Sequence, residues 1–369
     1  MKITILGKGN AGCISAMHFS HFKNILNFPV EIEMIHDSTI EPVPTGQGTL
    51  LDFPGKLFEC FQSGYDNKFP TTIKTGIMYE NFGTKKEKIF HNFPVGKYAL
   101  HFEPKAFQDF ICKNLNINFI EDKNVKQYDE IDSDYIIDCR GTPKDFTNYD
   151  KLSNPLNCAL LADLPKKEND VKWTRAIATK NGWCFYIPLP ERTSVGYVYN
   201  KDLTKESDAK KDFTSMFNLE KINHVFPFEQ YLAKKPIDKR VMLNGNKLFF
   251  LEPLEATAMS TYINVSKFYF DYMFNDVSQD ITQNRIRRYV YQIQNFILWH
   301  YANGSIYDTL FWQNAKKIWE KTDKEDIEKI IVAVKNMNQQ NIEKSLQSNF
   351  TYAQWEEWNF KLWYEGVTK

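Results

Sequence analysis

Lys2-Ile3-Thr4-Ile5-Leu6-Gly7-Lys8-Gly9-Asn10-Ala11-Gly12 opens the chain with an apolar strand, a glycine turn and the start of a helix that reads to about Phe22. A second strand, Val30 to Ile35, follows and runs into His36-Asp37. Strand, glycine turn, helix, strand and acid in this order form the dinucleotide-binding arrangement. Gly7 permits the tight turn, Gly9 lets a pyrophosphate approach the backbone, and Gly12 lets helix pack on strand. Asp37 is placed to accept hydrogen bonds from an adenosine ribose. The expected fold class is therefore α/β, with a Rossmann-like nucleotide fold at the N-terminus.

Composition narrows the remaining choices. The 369 residues can build one large or two ordinary domains with a real core. Lysine plus arginine balances aspartate plus glutamate at 46 each, so no net field draws in nucleic acid or an anionic membrane. The six cysteines, at 13, 60, 112, 139, 158 and 184, show neither a CxxC pair nor metal-ligand spacing, and they read as reduced thiols in a cytoplasmic protein. No signal peptide or membrane-length apolar run is apparent. Aromatic residues are 15% of the chain, enough for an aromatic-lined pocket, although a codon bias toward Phe, Tyr, Lys, Asn and Ile accounts for most of them.

Farther along, Asp134-Tyr-Ile-Ile137 reads as a strand entering Asp138-Cys139-Arg140-Gly141. Residues Trp173 to Asn200 alternate as antiparallel strands, and beyond Lys267 helical periodicity dominates. Thr322-Asp-Lys-Glu325 reads as a capping box for a helix that buries Ile327, Ile330, Ile331 and Val334. With no internal repeat, the expected division is a nucleotide-binding domain over 1–270, including a substrate-facing sheet near 150–250, and a helical region over 271–369.

The most chemically loaded stretch is Glu252-Pro253-Leu254-Glu255-Ala256-Thr257-Ala258. It follows an apolar run, Lys247 to Leu251, expected to be a buried strand, and precedes a helix expected from Met259 to Phe274. Unpaired N–H groups at a helix start make an anion site. A carboxylate beside such a site would repel the anion, unless the two belong to successive stages of one reaction.

This segment resembles the Glu-Pro-Leu-Glu-Ser-Thr-Gly block of flavin-dependent halogenases of the tryptophan-halogenase type. Other matches lie in the same order along residues 1 to 315. Trp183-Cys-Phe185-Tyr-Ile187-Pro188, with Gly196-Tyr-Val-Tyr-Asn200, resembles the family's Trp-x-Trp-x-Ile-Pro strand and its successor, with Phe185 in place of the second tryptophan. Taken by itself that strand reads better as ordinary core, and the downstream Gly-Tyr-Val-Tyr match turns the reading toward the motif. Ile73-Lys74-Thr-Gly76-Ile resembles the family's Phe-Lys-Leu-Gly-Ile, and Pro44-Thr-Gly46-Gln47-Gly48-Thr49 resembles its flavin strap, with Gln47 replacing glutamate. Asp138-Cys-Arg-Gly141 resembles Asp-Cys-Ser-Gly with arginine replacing serine. His101-Phe102, His300-Tyr301 and Asp308-Thr-Leu-Phe-Trp312 are looser matches. The chain is shorter than its relatives between Asn118 and Asp134, and Ala256 and Ala258 replace serine and glycine.

The resemblance implies an FAD-binding halogenase that uses FADH2, O2 and a halide ion to halogenate an electron-rich aromatic substrate through hypohalous acid. Lys74 and Glu255 would be catalytic, the lysine presenting the oxidised halogen and the glutamate pairing with it. A plain salt bridge is the other reading of that pair. FAD would lie on Gly7, Gly9, Ala11, Gly12, Asp37, Gly46, Gly48, Thr49, Asp138 and Gly141. Halide would bind at Thr257 and Ala258, where alanine at 258 withholds the left-handed freedom of glycine. Trp183, Phe185, Ile187 and Pro188 would keep substrate off the flavin. A single nucleotide fingerprint implies a separate flavin reductase as partner, or a nicotinamide that binds transiently. No metal is implied. The arene, free or carrier-bound, and the oligomeric state stay open, and Trp299, Trp312, Trp319, Trp355, Trp358 and Trp363 read as pocket or core. Two rivals remain: a flavin monooxygenase that hydroxylates, and a non-catalytic flavin-binding protein.

Overall fold

The computed structural model describes residues 1–62, 69–85, 87–122, 127–337 and 351–368. The chain forms two compact units that interleave along the sequence: residues 1–73, 98–151 and 231–288 in one, and 74–97, 152–230 and 289–369 in the other. This division differs from a linear split near 270. The strands expected to face substrate pair with residues 76–92 and share a unit with the C-terminal helices.

The first unit is built on a six-stranded sheet in the order Ile237–Asp238, Val241–Leu243, Tyr135–Asp138, Lys2–Leu6, Glu31–His36 and Asn118–Glu121. All neighbours are parallel except the first pair. Both Ile35 and Asp138 flank Leu6, so the turn after the first strand opens at the carboxyl edge of the sheet. In open α/β sheets ligands bind at that edge. The helix Asn10–Leu26 is buried continuously from Ala11 to Ser20, because it runs between the sheet and the helix Ala258–Phe274. Small polar side chains join the two helices: Ser15 Oγ lies 3.2 Å from Ser266 Oγ, and Asn244 Nδ2 donates to both at 3.1 and 3.3 Å.

The second unit holds a seven-stranded sheet in the order His224–Pro227, Cys158–Pro165, Arg192–Tyr199, Gly182–Pro188, Thr174–Thr179, Gly76–Glu80 and Lys88–Asn92. The three strands between Trp173 and Asn200 are antiparallel, as their alternation predicts. One face carries Leu160, Cys184, Tyr186, Val195 and Tyr197, covered by Ala209 and Phe213 of the helix Glu206–Phe217. The C-terminal tryptophans resolve mainly as core. Trp312, Trp355 and Trp363 are each 1% exposed, Trp355 stacks on Phe296 at 3.9 Å, and Trp312 Nε1 donates to Thr179 O at 2.8 Å.

Two local expectations are corrected. The run 247–251 is not one strand. Asn244 caps a short turn at Gly245 (φ +62°), Leu248 stays helical, and only Phe249–Phe250 pairs, with Tyr231–Leu232. The capping box at Thr322 does not form either. Thr322 ends the helix Leu310–Lys321 and its hydroxyl donates back to Ile318 O, while the next helix starts at Glu325. Of its expected face, Ile327, Ile331 and Val334 are buried, while Ile330 is only half-buried. Among the described residues no helix is long and apolar enough to cross a membrane.

Candidate functional site

The glycine turn has the shape a diphosphate needs. Gly7 sits at φ +93°, donates to Ile35 O at 2.8 Å, and is so close to the neighbouring strand that a Cβ there would meet Cys139 O at 3.3 Å. A Cβ on Gly12 would lie 1.9 Å from Gly7 O, so only glycine lets the helix start here. Ala11 fills the space beside Gly245, where an added Cβ would be 2.5 Å away. Gly9 is different: a Cβ there meets nothing within 4 Å. It caps a 17-residue helix that has no acidic residue in its first turn and no side-chain cap. Open space at the positive end of a helix fits the pyrophosphate of FAD.

The groups around this turn belong to the same unit. Asp37 follows the strand Glu31–His36, and its carboxylate accepts from Thr39 N at 2.8 Å and Thr39 Oγ1 at 2.6 Å. Gly46 lies in the strap, and Gln47–Gly48 pairs antiparallel with His101 and Phe102. Thr49, fully buried, closes that pairing through its hydroxyl, which accepts from Leu100 N at 2.9 Å and donates to Leu100 O at 3.1 Å. Gln47 Oε1 accepts from Asn10 of the glycine turn at 3.5 Å, and Gln108 Nε2 donates to Asn10 Oδ1 at 3.0 Å. Strap and turn are thus linked through Asn10 and Gln108, two residues that carried no sequence signal.

Asp138 is wholly buried, and both its oxygens are engaged. Oδ1 accepts from the Arg140 backbone at 3.0 Å and from Arg140 Nε at 2.9 Å, while Oδ2 accepts from Arg140 Nη2 at 2.8 Å and Tyr128 Oη at 2.5 Å. Burial pushes the Tyr128 phenol up, reinforced by the Asp138 charge. Gly141 follows at φ +55° with open space beside it.

The turn after Phe250 also lies in the first unit. Glu255 (3% exposed, φ +70°) and Ala256 (φ +55°) are both left-handed, so the chain reverses sharply before the helix. The left-handed positions are therefore 255 and 256. Ala258 is simply the first helical residue, and its lack of glycine freedom has no backbone consequence. Thr257 caps this helix, and its carbonyl accepts from Thr261 N and Oγ1 at 3.0 and 2.9 Å. Ser260, one turn in, donates to Asp52, a carboxylate raised by burial and moderated by that hydrogen bond. Nothing in the sequence marked Asp52, because its partner lies 208 positions away.

Lys74 falls in the second unit, at the end of the strand Thr71–Lys74. It is fully buried, and its Nζ sits 5.6 Å from the Phe93 ring centroid. An ammonium in that position needs partners to offset lost hydration. Its backbone is fixed by the following residue: Thr75 N donates to Lys172 O at 2.7 Å and Thr75 O accepts from Phe93 N at 2.9 Å. Trp183, Phe185 and Ile187 share one strand face, opposite Cys184 and Tyr186, and are 1%, 6% and 8% exposed. The tip of the Phe185 ring sits over Gly196, where a Cβ would come within 2.2 Å of Cζ, and Trp183 meets the ring edge-on at 6.2 Å. Pro188 ends that strand, also buried. His300 is held between Trp363 and Phe296, with Nδ1 2.8 Å from Phe296 O, a core role.

A shallow depression lined by Met1, Asp134, Tyr135, Lys239, Arg240 and Tyr272 lies at the amino edge of the parallel sheet. That is the wrong edge for a ligand of this fold.

The family model described as Tryptophan halogenase matches residues 2–116 and 97–365. Tryptophan 7-halogenase KtzQ of Kutzneria sp. (strain 744) is 22% identical over 263 residues, 61% of this chain and 49% of that protein. Tryptophan 7-halogenase RebH of Lentzea aerocolonigenes is 24% identical with the same coverage. The chain thus spans about half the length of these curated relatives. Among solved structures, a tryptophan halogenase from Shewanella frigidimarina NCIMB 400 superposes with a TM-score of 0.81 at 16% identity, over 100% of this chain and 89% of that one. At that identity the likeness speaks for the fold: Rossmann-like, with an added antiparallel sheet and helices.

Proposed function

We propose that this chain, which belongs to the tryptophan halogenase family, halogenates an electron-rich aromatic substrate through hypohalous acid. The observation that carries the proposal is a lysine buried to 0% exposure at the family's lysine position, in a chain that also keeps a slim, open glycine turn. Lysines are rarely buried without a task or a partner.

Bound FADH2 would supply, with O2, the oxidising equivalent that converts halide to hypohalous acid. The residues that would hold it are Gly7, Gly9, Ala11 and Gly12 around the diphosphate, Asp37 at the ribose, Gly46, Gly48 and Thr49 in the strap, and the Asp138–Gly141 loop. The backbone N–H groups of Thr257 and Ala258, at the start of the helix Ala258–Phe274, hold the halide. Lys74 donates a hydrogen bond to hypohalous acid or, as the neutral amine, takes the halogen from it as a haloamine with release of water, and presents the halogen to the ring carbon. Glu255 stabilises the cationic ring that forms and accepts the departing proton. Trp183, Phe185, Ile187 and Pro188 keep the arene away from the flavin, which suppresses hydroxylation. A separate flavin reductase delivers FADH2. The substrate is a small arene, free or carrier-bound.

The test combines purified protein, a generic flavin reductase, NADH, FAD and each halide in turn with a panel of phenols and indoles. Halogen-for-hydrogen exchange that disappears without halide supports the proposal. Products carrying added oxygen would instead identify a hydroxylase.

A further inference from the structure

We infer that Arg140 is a cofactor-binding residue particular to this chain, a guanidinium held by Asp138 to recognise the diphosphate of a dinucleotide at the Gly7–Gly12 turn. The inference rests on the flavin reading above and deepens it.

Position 140 is a serine in the pattern this loop resembles, so the chain has placed a full charge where an uncharged group would stand. The Asp138 carboxylate is fully buried, and its oxygens are engaged by Arg140 and Tyr128. The guanidinium is the outer member of the pair: its side chain is 30% exposed against 0% for Asp138. It also lies over the Tyr128 ring at 5.4 Å. The two-point contact with Asp138 fixes the arginine rotamer. Ordering a guanidinium in advance removes most of the entropy cost of using it on a ligand.

Place is the second argument. Asp138 ends the strand next to Lys2–Leu6, and the Arg140 Cα would be 3.5 Å from a Cβ on Gly7. The loop that carries the arginine therefore adjoins the backbone that would cradle a diphosphate, at the ligand-binding edge of the sheet. The buried carboxylate cancels the charge at long range, so Arg140 acts by direct contact rather than by steering. Phosphate oxygens suit a guanidinium fork, whereas a flavin without phosphate offers it nothing comparable.

A purely structural role makes a different prediction. If Arg140 served only to neutralise Asp138, a lysine there, which can still pair with Asp138, would behave as wild type. The experiment titrates FAD and riboflavin against wild type and Arg140→Lys by flavin fluorescence, with thermal melting alongside. The expected result is a variant that melts like wild type and loses FAD affinity about five- to tenfold, the worth of one partly solvated charged contact, with a smaller loss for riboflavin. Wild-type FAD affinity in the folded variant, or equal losses for FAD and riboflavin, overturns the inference and leaves the flavin reading intact. A wild-type protein that binds no FAD overturns both. If Arg140→Lys does not fold, Arg140→Gln is titrated and read in the same way.

Discussion

Two consecutive left-handed residues, Glu255 and Ala256, set the direction of the turn that carries the second catalytic candidate. For an L-residue this conformation costs about 1–2 kcal/mol. Glu255 would bear that cost as part of its function, but Ala256 has no such reason. Ala256→Gly should therefore raise stability by about 0.5–1 kcal/mol, relief of strain outweighing glycine's greater entropy when unfolded. Urea denaturation measures it, and an unchanged or lower midpoint would show that the turn is not strained at 256. His18 is a second residue-scale case. It is 1% exposed, its two ring nitrogens lack hydrogen-bond partners among the described residues, and burial, with the nearby Lys56 charge, holds its pKa well below the ordinary 6.5. The unfolded chain therefore binds a proton that the folded one refuses. Stability from this group is complete above about pH 6.5 and falls as pH drops below it, by at most about 1.4 kcal/mol per pH unit. His18→Leu should flatten that acid limb and add about 1 kcal/mol at pH 7. A pH series of melts showing an equally steep limb in the variant would contradict this.

At the scale of elements, the strand Gly182–Pro188 shows how one substitution is accommodated. Phe185 stands where the family pattern has tryptophan, and its ring rests directly on Gly196 of the adjacent strand. Phe185→Trp should overpack this layer and cost about 1–3 kcal/mol in chemical denaturation; no loss would reveal spare room above Gly196. Elements dictated by local pattern were legible in the sequence. The glycine turn, the strands between Trp173 and Asn200, and the helix buried through Ile327, Ile331 and Val334 all follow from period and spacing. What failed depended on a single local cap or on distant partners. Gly245 shortened the strand before Leu251, and Thr322 closed one helix rather than opening the next. The Arg140–Asp138 fork, the Asn10–Gln108–Gln47 link and the Ser260–Asp52 bond are side-chain geometries, which a residue pattern does not encode.

For the whole molecule, sequence order hides the division into units. Each unit is assembled from three separate stretches, because a sheet takes its strands from wherever the chain returns to it. The glycine turn, residues 44–49, Asp138 and Glu255 fall in one unit, and Lys74 with the strand Gly182–Pro188 in the other. A ligand that binds only folded protein raises stability by mass action, about 2.7 kcal/mol at a hundredfold excess over Kd. FAD at that excess should raise the melting temperature by about 5 °C. Unaltered melting under those conditions would argue against the flavin cradle.

The most direct measurement is the product mass from wild type and Lys74→Ala, supplied with FADH2, O2, bromide and an activated phenol or indole. The account predicts a bromine isotope doublet in place of one ring hydrogen with wild type, and a rate lower by about 10²–10⁴-fold without the lysine amine. Equal bromination by Lys74→Ala would mean that freely diffusing hypohalite does the chemistry. A product heavier by one oxygen would mean that the protein hydroxylates, and either result would contradict the account.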